Sequence, residues 1–267
     1  MNIKFQNFET CSTHVKQQIE NTVNNILQLM KSNLVGLYLH GSIVLDAFDE
    51  NSSDLDIVGV INHDLTLDEK IQLGSLLLSL NKKPCCLDIQ FFIKTDINPL
   101  KHRPTEHFYF ADYWALQYEK ISRSAENAAE ILASVFSDGE AISDFAVIKQ
   151  SGICLFGKPI NEIFPNISNE LFLGAVSRGI DDFYVESDND SQSAFLVLQL
   201  CRILSFKEIN KILSKQAAAE WALANLPSKH QSIIKRAIYN KFGLGSELHY
   251  SKEDAISFKS YMLQKIK

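Results

Sequence analysis

Long apolar runs and an excess of positive charge are both missing from this chain of 267 residues. No segment approaches the roughly 18 uninterrupted apolar residues of a membrane-spanning helix, and the first residues lack the basic head and apolar run of a signal peptide. Lys and Arg number 26 against 32 Asp and Glu, so the net charge is -6 at pH 7. Because nucleic-acid binding needs a basic surface, we expect neither a membrane nor a nucleic-acid partner.

Regularly spaced cysteines are also missing. The number of cysteines is odd and no C-x-x-C pair occurs, the five being Cys11, Cys85, Cys86, Cys154 and Cys201. Disulfide frameworks and zinc sites use even or regularly spaced sets. We therefore expect reduced thiols in a cytoplasmic protein.

Glycine-rich phosphate loops are absent as well. Neither G-x-x-x-x-G-K-[S/T] nor G-x-G-x-x-G occurs, so P-loop and Rossmann folds have no support. The first half instead alternates helix and strand signals, which is typical of an α/β domain. Helical periodicity predicts a helix over 13–30, and the Thr66–Glu69 capping box begins a second helix. Short apolar runs predict three strands, over 34–39, 55–61 and 87–93.

The second half reads as helical. No convincing strand follows the Gly157–Pro165 region, and helical patterns occur over 193–206, 215–226, 229–241 and 253–265. We therefore predict an α/β domain over 1–157 and an all-α helical bundle over 158–267.

The most informative segment joins the first two predicted strands. A Gly41-Ser42 turn ends the first strand, and Asp54 and Asp56 open the second, where their spacing puts both carboxylates on one face. Two carboxylates in an apolar strand are costly unless a cation neutralises them. Magnesium takes oxygen ligands, commonly one or two carboxylates plus substrate phosphates. The turn would let a phosphate approach backbone N–H groups, with the Ser42 hydroxyl as a further donor.

A third carboxylate, Asp88, lies on the third predicted strand. If that strand is beside the one with Asp54 and Asp56, three carboxylates meet at one edge of the sheet. This arrangement suits two-metal phosphoryl transfer, so we expect two Mg²⁺ ions and a nucleotide.

The ordered set of motifs resembles the DNA polymerase β-type nucleotidyltransferase superfamily. Within it the chain is similar to the aminoglycoside (3'')(9)-adenylyltransferases and the spectinomycin 9-adenylyltransferases. The similarity runs from about 30 to 245. A D-x-D pair alone is a weak signal, but it becomes specific when the other motifs follow it in the same order. These include Phe110-Ala111-Asp112-Tyr113 in place of an aromatic-Gly-Glu-Trp run, Leu198–Arg202, and Asn210–Lys215.

The resemblance implies a nucleotidyltransferase domain with a mixed sheet flanked by helices. It also implies roles for the first-half residues. Asp54, Asp56 and Asp88 match metal ligands, and Asp88 also matches the base that takes a proton from the drug hydroxyl. Gly41 and Ser42 match the turn that holds the nucleotide phosphates.

For the helical domain, the resemblance implies that Arg202 and Lys215 reach the phosphates and that Tyr113 stands at the drug site. The reaction implied is transfer of AMP from ATP to a hydroxyl of a cationic, aminoglycoside-type drug, with release of pyrophosphate, in a cleft between the domains. The residues alone leave another interpretation open for each of these cations. Arg202 could form an ion pair within the helical bundle, and Lys215 could be an ordinary solvated side chain.

Three departures from the family pattern bear on the substrate. Asp88 replaces Glu and is one methylene shorter. It could therefore reach the drug hydroxyl either directly or through a water molecule. Tyr113 replaces Trp and offers a smaller stacking surface. The 178–202 segment is shorter than in dual-specificity enzymes and lacks their tryptophan, which favours spectinomycin over streptomycin, although the acidic stretch over 181–190 could attract a cationic drug.

Two other functions remain open at this point. The same chemistry could adenylylate a protein or a metabolite, or the chain could be a catalytically silent nucleotide-binding regulator. The oligomeric state is also open, with a monomer as the working expectation.

Overall fold

The structure is a computed structural model, and it describes residues 5–124, 126–136, 141–181, 190–242 and 252–266. The strands are β1 (Leu34–Leu39), β2 (Leu55–Ile61), β3 (Leu87–Ile93), β4 (Glu106–Ala111) and β5 (Ile153–Gly157). The helices are α1 (Thr13–Met30), α2 (Leu67–Leu80), α3 (Lys94–Ile97), α4 (Ala115–Arg123), α5 (Ala128–Ala133), α6 (Ala141–Ser151), α7 (Ile160–Ile163), α8 (Asn169–Asp181), α9 (Asp190–Ile209), α10 (Lys215–Asn225), α11 (Gln231–Phe242) and α12 (Lys252–Ile266).

The five strands form one mixed sheet in the order β4-β3-β2-β1-β5. β2 and β3 are parallel and are connected through α2, whereas the other neighbours are antiparallel. The three predicted strands and the helix over 13–30 are confirmed. β4 and β5 were not predicted. β4 follows a loop that contains Pro99 and Pro104, and β5 is a five-residue edge strand that ends in Gly157.

Strand alternation separates the two faces of the sheet. One face carries Ile57 and Ile89 into a core with α1, α2 and α4. The opposite face carries Val58 and Phe92 into a second cluster that includes Phe145 of α6. Each such buried apolar side chain contributes about 1.5–3 kcal/mol. Asp56 lies two positions before Val58, and Asp88 lies four positions before Phe92. Both aspartates therefore point to the α6 side of the sheet.

The remaining helices form a separate bundle around α9, which contacts α8, α10, α11 and α12. Buried side chains of α9 form its centre, among them Leu198, Leu200, Cys201 and Leu204. Among the described residues after Gly157 there is no strand, as predicted, although helix α8 was not predicted. One compact unit reaches Ile167 and the other begins at Ser168; the predicted domain limits, 1–157 and 158–267, stay a prediction.

All five cysteines lie in the described part of the chain, and none is paired in a disulfide. In the ranges that the structure describes, no helix has both the length and the apolar character needed to cross a bilayer.

The predicted capping box at the start of α2 is confirmed, since the Thr66 hydroxyl accepts from the Glu69 N–H and the Glu69 carboxylate accepts from the Thr66 N–H. Thr66→Ala should lower the free energy of unfolding by ~1 kcal/mol, because it removes the acceptor for an orphan helix donor. Urea denaturation measures the change. Thr13→Ala, at an exposed threonine inside the first turn of α1, is the matched control and should change stability by less than ~0.5 kcal/mol; equal losses would contradict the capping account.

Candidate active site

The turn after β1 is shaped around a carboxylate. Gly41 has φ = +70°, and a Cβ atom at this position would lie 1.8 Å from Oδ2 of Asp56. Glycine is therefore required both by the backbone conformation and by the space that Asp56 occupies. The backbone N–H of His40 donates to the Asp56 carbonyl oxygen at 3.0 Å, which fixes the turn to β2. Ser42 follows in the short 3₁₀ turn.

The parallel pairing of β2 and β3 brings two carboxylates side by side. Asp56 stands opposite Asp88 in the register, and adjacent strands lie about 4.8 Å apart. Both residues are half-buried, whereas Asp54, just before β2, is exposed. The structure thus places Asp56, Asp88 and the Gly41 turn together, with Asp54 at the rim of the same edge.

Electrostatics at this edge disfavour a full set of negative charges. The pKa of Asp88 is raised to about 7, mainly by burial and in addition by the charges of Asp144 and Asp54, whereas a hydrogen bond from Tyr109 acts in the opposite direction. The neighbouring His40 is buried, and burial lowers its pKa to about 3, so it is neutral at physiological pH. A raised carboxyl pKa beside other carboxylates is what a site for a cation shows before the cation binds.

Sequence reasoning missed two residues that act on Asp88. Tyr109 of β4 donates from its hydroxyl to Oδ2 of Asp88 at 3.0 Å. Asp144 lies on α6, the helix that packs on the same face of the sheet. Tyr109 could have been found only after β4 was identified, because its role depends on the pairing of β4 with β3. Asp144 is an acidic residue beside the buried apolar residues of α6, and that pattern was the available signal.

The donor set fits magnesium that arrives with a nucleotide. Over the ranges that the structure describes, no three His, Cys, Asp or Glu side chains converge closely enough to hold an ion by themselves. Mg²⁺ is usually held by one or two carboxylates together with waters and substrate phosphates. Asp56 and Asp88 supply such a pair, and a site completed by Asp54 stays a prediction.

The two aromatic residues after β4, Tyr113 and Trp114, have different surroundings. Tyr113 is 56% exposed, and its hydroxyl lies 2.6 Å from the hydroxyl of Tyr109. Trp114 instead packs against Phe136, and its indole N–H donates to the Phe136 carbonyl at 3.1 Å. The ring of Tyr113 is therefore the one open to a ligand.

In the helical unit, the two predicted cationic residues lie close in the fold. The Arg202 guanidinium of α9 donates from Nε to the Leu213 carbonyl at 3.1 Å, just before α10 begins. Lys215 is the first residue of α10, and its Nζ lies 4.3 Å from the centroid of the Phe195 ring. The side chains of the acidic stretch over 181–190 lie outside the described part of the structure, including those of Asp182, Glu186 and Asp188.

Residues 162–265 match the family model described as the C-terminal domain of aminoglycoside adenylyltransferase. The helical part of the chain is therefore similar to the C-terminal domain of the aminoglycoside adenylyltransferases. It is similar to the spectinomycin 9-adenylyltransferase of Staphylococcus aureus, with 23% identity over 228 residues that cover 82% of each protein. It is also similar to the aminoglycoside (3'') (9) adenylyltransferase of Shigella flexneri, with 21% identity over 264 residues and 95% of each protein.

A solved structure shares the fold of this chain. It is the crystal structure of the spectinomycin adenyltransferase AAD(9) from Enterococcus faecalis with ATP and spectinomycin. The TM-score is 0.74 at 20% identity, covering 94% of this chain and 98% of the other. The likeness covers both the sheet and the helical bundle.

The raised pKa of Asp88 predicts a pH-dependent effect of Asp88→Asn in the absence of Mg²⁺. The carboxyl has a pKa of about 7 when folded against 3.8 ordinarily, so its contribution to stability is present below pH ~4 and is lost as pH rises through 7. Asparagine keeps the group neutral. The variant should therefore gain in unfolding midpoint over the wild type between pH 5 and 8, on the order of a few degrees.

Thermal unfolding in EDTA at several pH values measures this difference. Asp49→Asn is the matched control with the opposite sign: burial raises the pKa of Asp49, but hydrogen bonds from Ser52 and Asn51 outweigh it and leave the pKa lowered. That variant should lose stability above pH 5. An Asp88→Asn difference that does not vary with pH would contradict the raised pKa of Asp88.

Proposed function

We propose that this protein transfers AMP from ATP to a hydroxyl of spectinomycin and releases pyrophosphate. The observation that carries the proposal is the pairing of Asp56 with Asp88 beside the Gly41 turn, in a chain whose residues 162–265 match the C-terminal domain model of aminoglycoside adenylyltransferase. Relatives named spectinomycin 9-adenylyltransferase, and the AAD(9) complex with ATP and spectinomycin, support this choice of substrates.

Asp88 takes the role of general base in this proposal. The acceptor hydroxyl gives its proton to the Asp88 carboxylate as its oxygen forms a bond to the α-phosphorus of ATP. The bond between the α-phosphorus and the pyrophosphate oxygen breaks in the same displacement, and pyrophosphate leaves. A carboxyl pKa of about 7 before cation binding suits a group that must accept a proton near neutral pH.

Asp54, Asp56 and Asp88 are the proposed ligands of two Mg²⁺ ions. When bound, these ions would neutralise phosphate charge and polarise the reacting oxygens. The Gly41-Ser42 turn would hold the phosphates through backbone N–H groups and the Ser42 hydroxyl.

The helical unit would supply positive charge to the triphosphate. Arg202 and Lys215 are assigned to this role because the resemblance matches them to phosphate-binding cations, and because the start of α10 brings them near each other. The exposed ring of Tyr113 is assigned to the drug. Streptomycin is a second candidate acceptor for the same site.

A cytoplasmic location is part of the proposal, since ATP is the co-substrate and all five thiols are unpaired. Disulfides are rare in reducing compartments. Nucleic acid is not a proposed partner, because the net charge is -6, and a monomer remains the working expectation.

Asp54→Asn and Asp56→Asn should each reduce turnover to background, because each removes a charged metal ligand while keeping the side-chain size. Steady-state assays with Mg²⁺, ATP and drug measure the loss, and circular dichroism checks the fold. Asp68→Asn, at an exposed acidic residue of the first turn of α2, is the control and should retain full activity. Full activity of either site variant would overturn the metal assignment.

Pyrophosphate release from ATP and Mg²⁺ tests the substrate directly, with spectinomycin, with streptomycin and with no drug. Release with spectinomycin alone is the expected result, and release with both drugs would widen the acceptor range. ATP binding without release in any mixture would contradict the proposal. It would favour a protein or metabolite acceptor, or a silent nucleotide-binding regulator.

A further inference from the structure

Three side chains form a hydrogen-bonded line that leads from solvent to Asp88. The Tyr109 hydroxyl lies 3.0 Å from Oδ2 of Asp88 and 2.6 Å from the Tyr113 hydroxyl. Tyr109 is only 4% exposed, whereas Tyr113 is 56% exposed. The line therefore connects the aromatic surface assigned to the drug with the carboxylate assigned to the chemistry.

The direction of these hydrogen bonds follows from the number of protons that each group can donate. An ionised carboxylate only accepts, and a tyrosine hydroxyl has a single proton to donate. Tyr109 must therefore donate to Asp88, and Tyr113 must donate to Tyr109. Burial, with the negative charge of Asp88 next in effect, raises the pKa of Tyr109, so its hydroxyl keeps the proton that it donates.

This bond limits the rotation of the Asp88 carboxylate. The terminal torsion of an aspartate is broad and roughly two-fold, so the group needs a partner to hold one orientation. A hydrogen bond to an ionised acceptor is stronger than a neutral one, and the buried Tyr109 ring cannot follow a moving carboxylate. With Oδ2 held by Tyr109, Oδ1 is the oxygen left to face an acceptor hydroxyl.

Both ends of the line are positions where this chain departs from the family pattern. Asp88 replaces a longer Glu, and Tyr113 replaces a Trp, which has no hydroxyl. Tyr109 joins these two departures physically.

We propose that Tyr109 is a positioning residue for Asp88, holding its carboxylate for proton transfer, and that Tyr113 fixes the direction of the Tyr109 hydroxyl. This inference rests on the proposed function, because it takes Asp88 as the base. It assigns Tyr109 no contact with ATP or with the drug.

Tyr109→Phe tests the proposal, since it removes one oxygen and keeps the buried ring. It should lower kcat about tenfold, because misplacement of a catalytic group costs rate, and should leave the KM for ATP unchanged. Tyr113→Phe should have a smaller effect on kcat, about threefold. Tyr38→Phe is the matched control: it removes a buried tyrosine hydroxyl, bonded to the Lys158 carbonyl at 2.8 Å, from the same face of the sheet, and should keep wild-type kcat.

A double variant separates positioning from stability. In an Asp88→Asn background, Tyr109→Phe should cause no further loss of the residual rate, because a positioning residue acts only through the group that it positions. The unfolding free energies of the same four proteins should be non-additive, which shows the contact in solution. Equal losses of kcat in both backgrounds, or additive unfolding free energies, would overturn the inference.

The proposed function and this inference fail in different ways. If the wild type shows no drug-dependent turnover, or Asp88→Asn equals the wild type, the proposed function fails and the inference falls with it. If the wild type turns over and Asp88→Asn keeps only a small residual rate, but Tyr109→Phe keeps the wild-type kcat, the positioning role alone is wrong.

Discussion

The candidate site depends on one carboxyl group, Asp88, whose pKa is raised mainly by burial. Parallel pairing of β2 with β3 sets Asp56 beside Asp88, and the charges of Asp144 and Asp54 add to the effect of burial in raising the pKa of Asp88 to about 7. An arrangement of this kind costs stability in the free protein and is offset when a cation binds. The sheet, the turn after β1 and helix α6 together hold these carboxyl groups in place.

The elements around the pair are shaped by it in specific ways. Gly41 leaves the space that the Asp56 carboxylate fills, and the adjoining His40 is buried and neutral. On the other side, β4 brings the Tyr109 hydroxyl to Asp88. The apolar residues of the same strands continue into the core and keep the edge rigid. Preorganisation of this kind is what a site needs in order to hold reacting groups without rearranging during the reaction.

The sequence predicted those parts of the fold whose signals are local. The helix over 13–30, the capping box at Thr66 and three apolar strands have strong periodicity or specific pairs of side chains, and the structure confirms them. β4 and β5 are short strands with little alternation, and they are stabilised by pairing with residues distant in the chain, so local patterns do not identify them. The same limit applied to the site: Asp56 and Asp88 could be grouped by the spacing of their strands, whereas Tyr109 and Asp144 reach them only through tertiary packing.

The central claim is that this edge of the sheet carries out Mg²⁺-dependent transfer of AMP to spectinomycin. The most direct measurement is the mass of spectinomycin after incubation with the protein and ATP, in Mg²⁺ and in excess EDTA. The account predicts a product that carries one AMP group, formed with Mg²⁺ and absent in EDTA. Spectinomycin of unchanged mass in both mixtures, or an adenylylated product that forms equally well in EDTA, would contradict it.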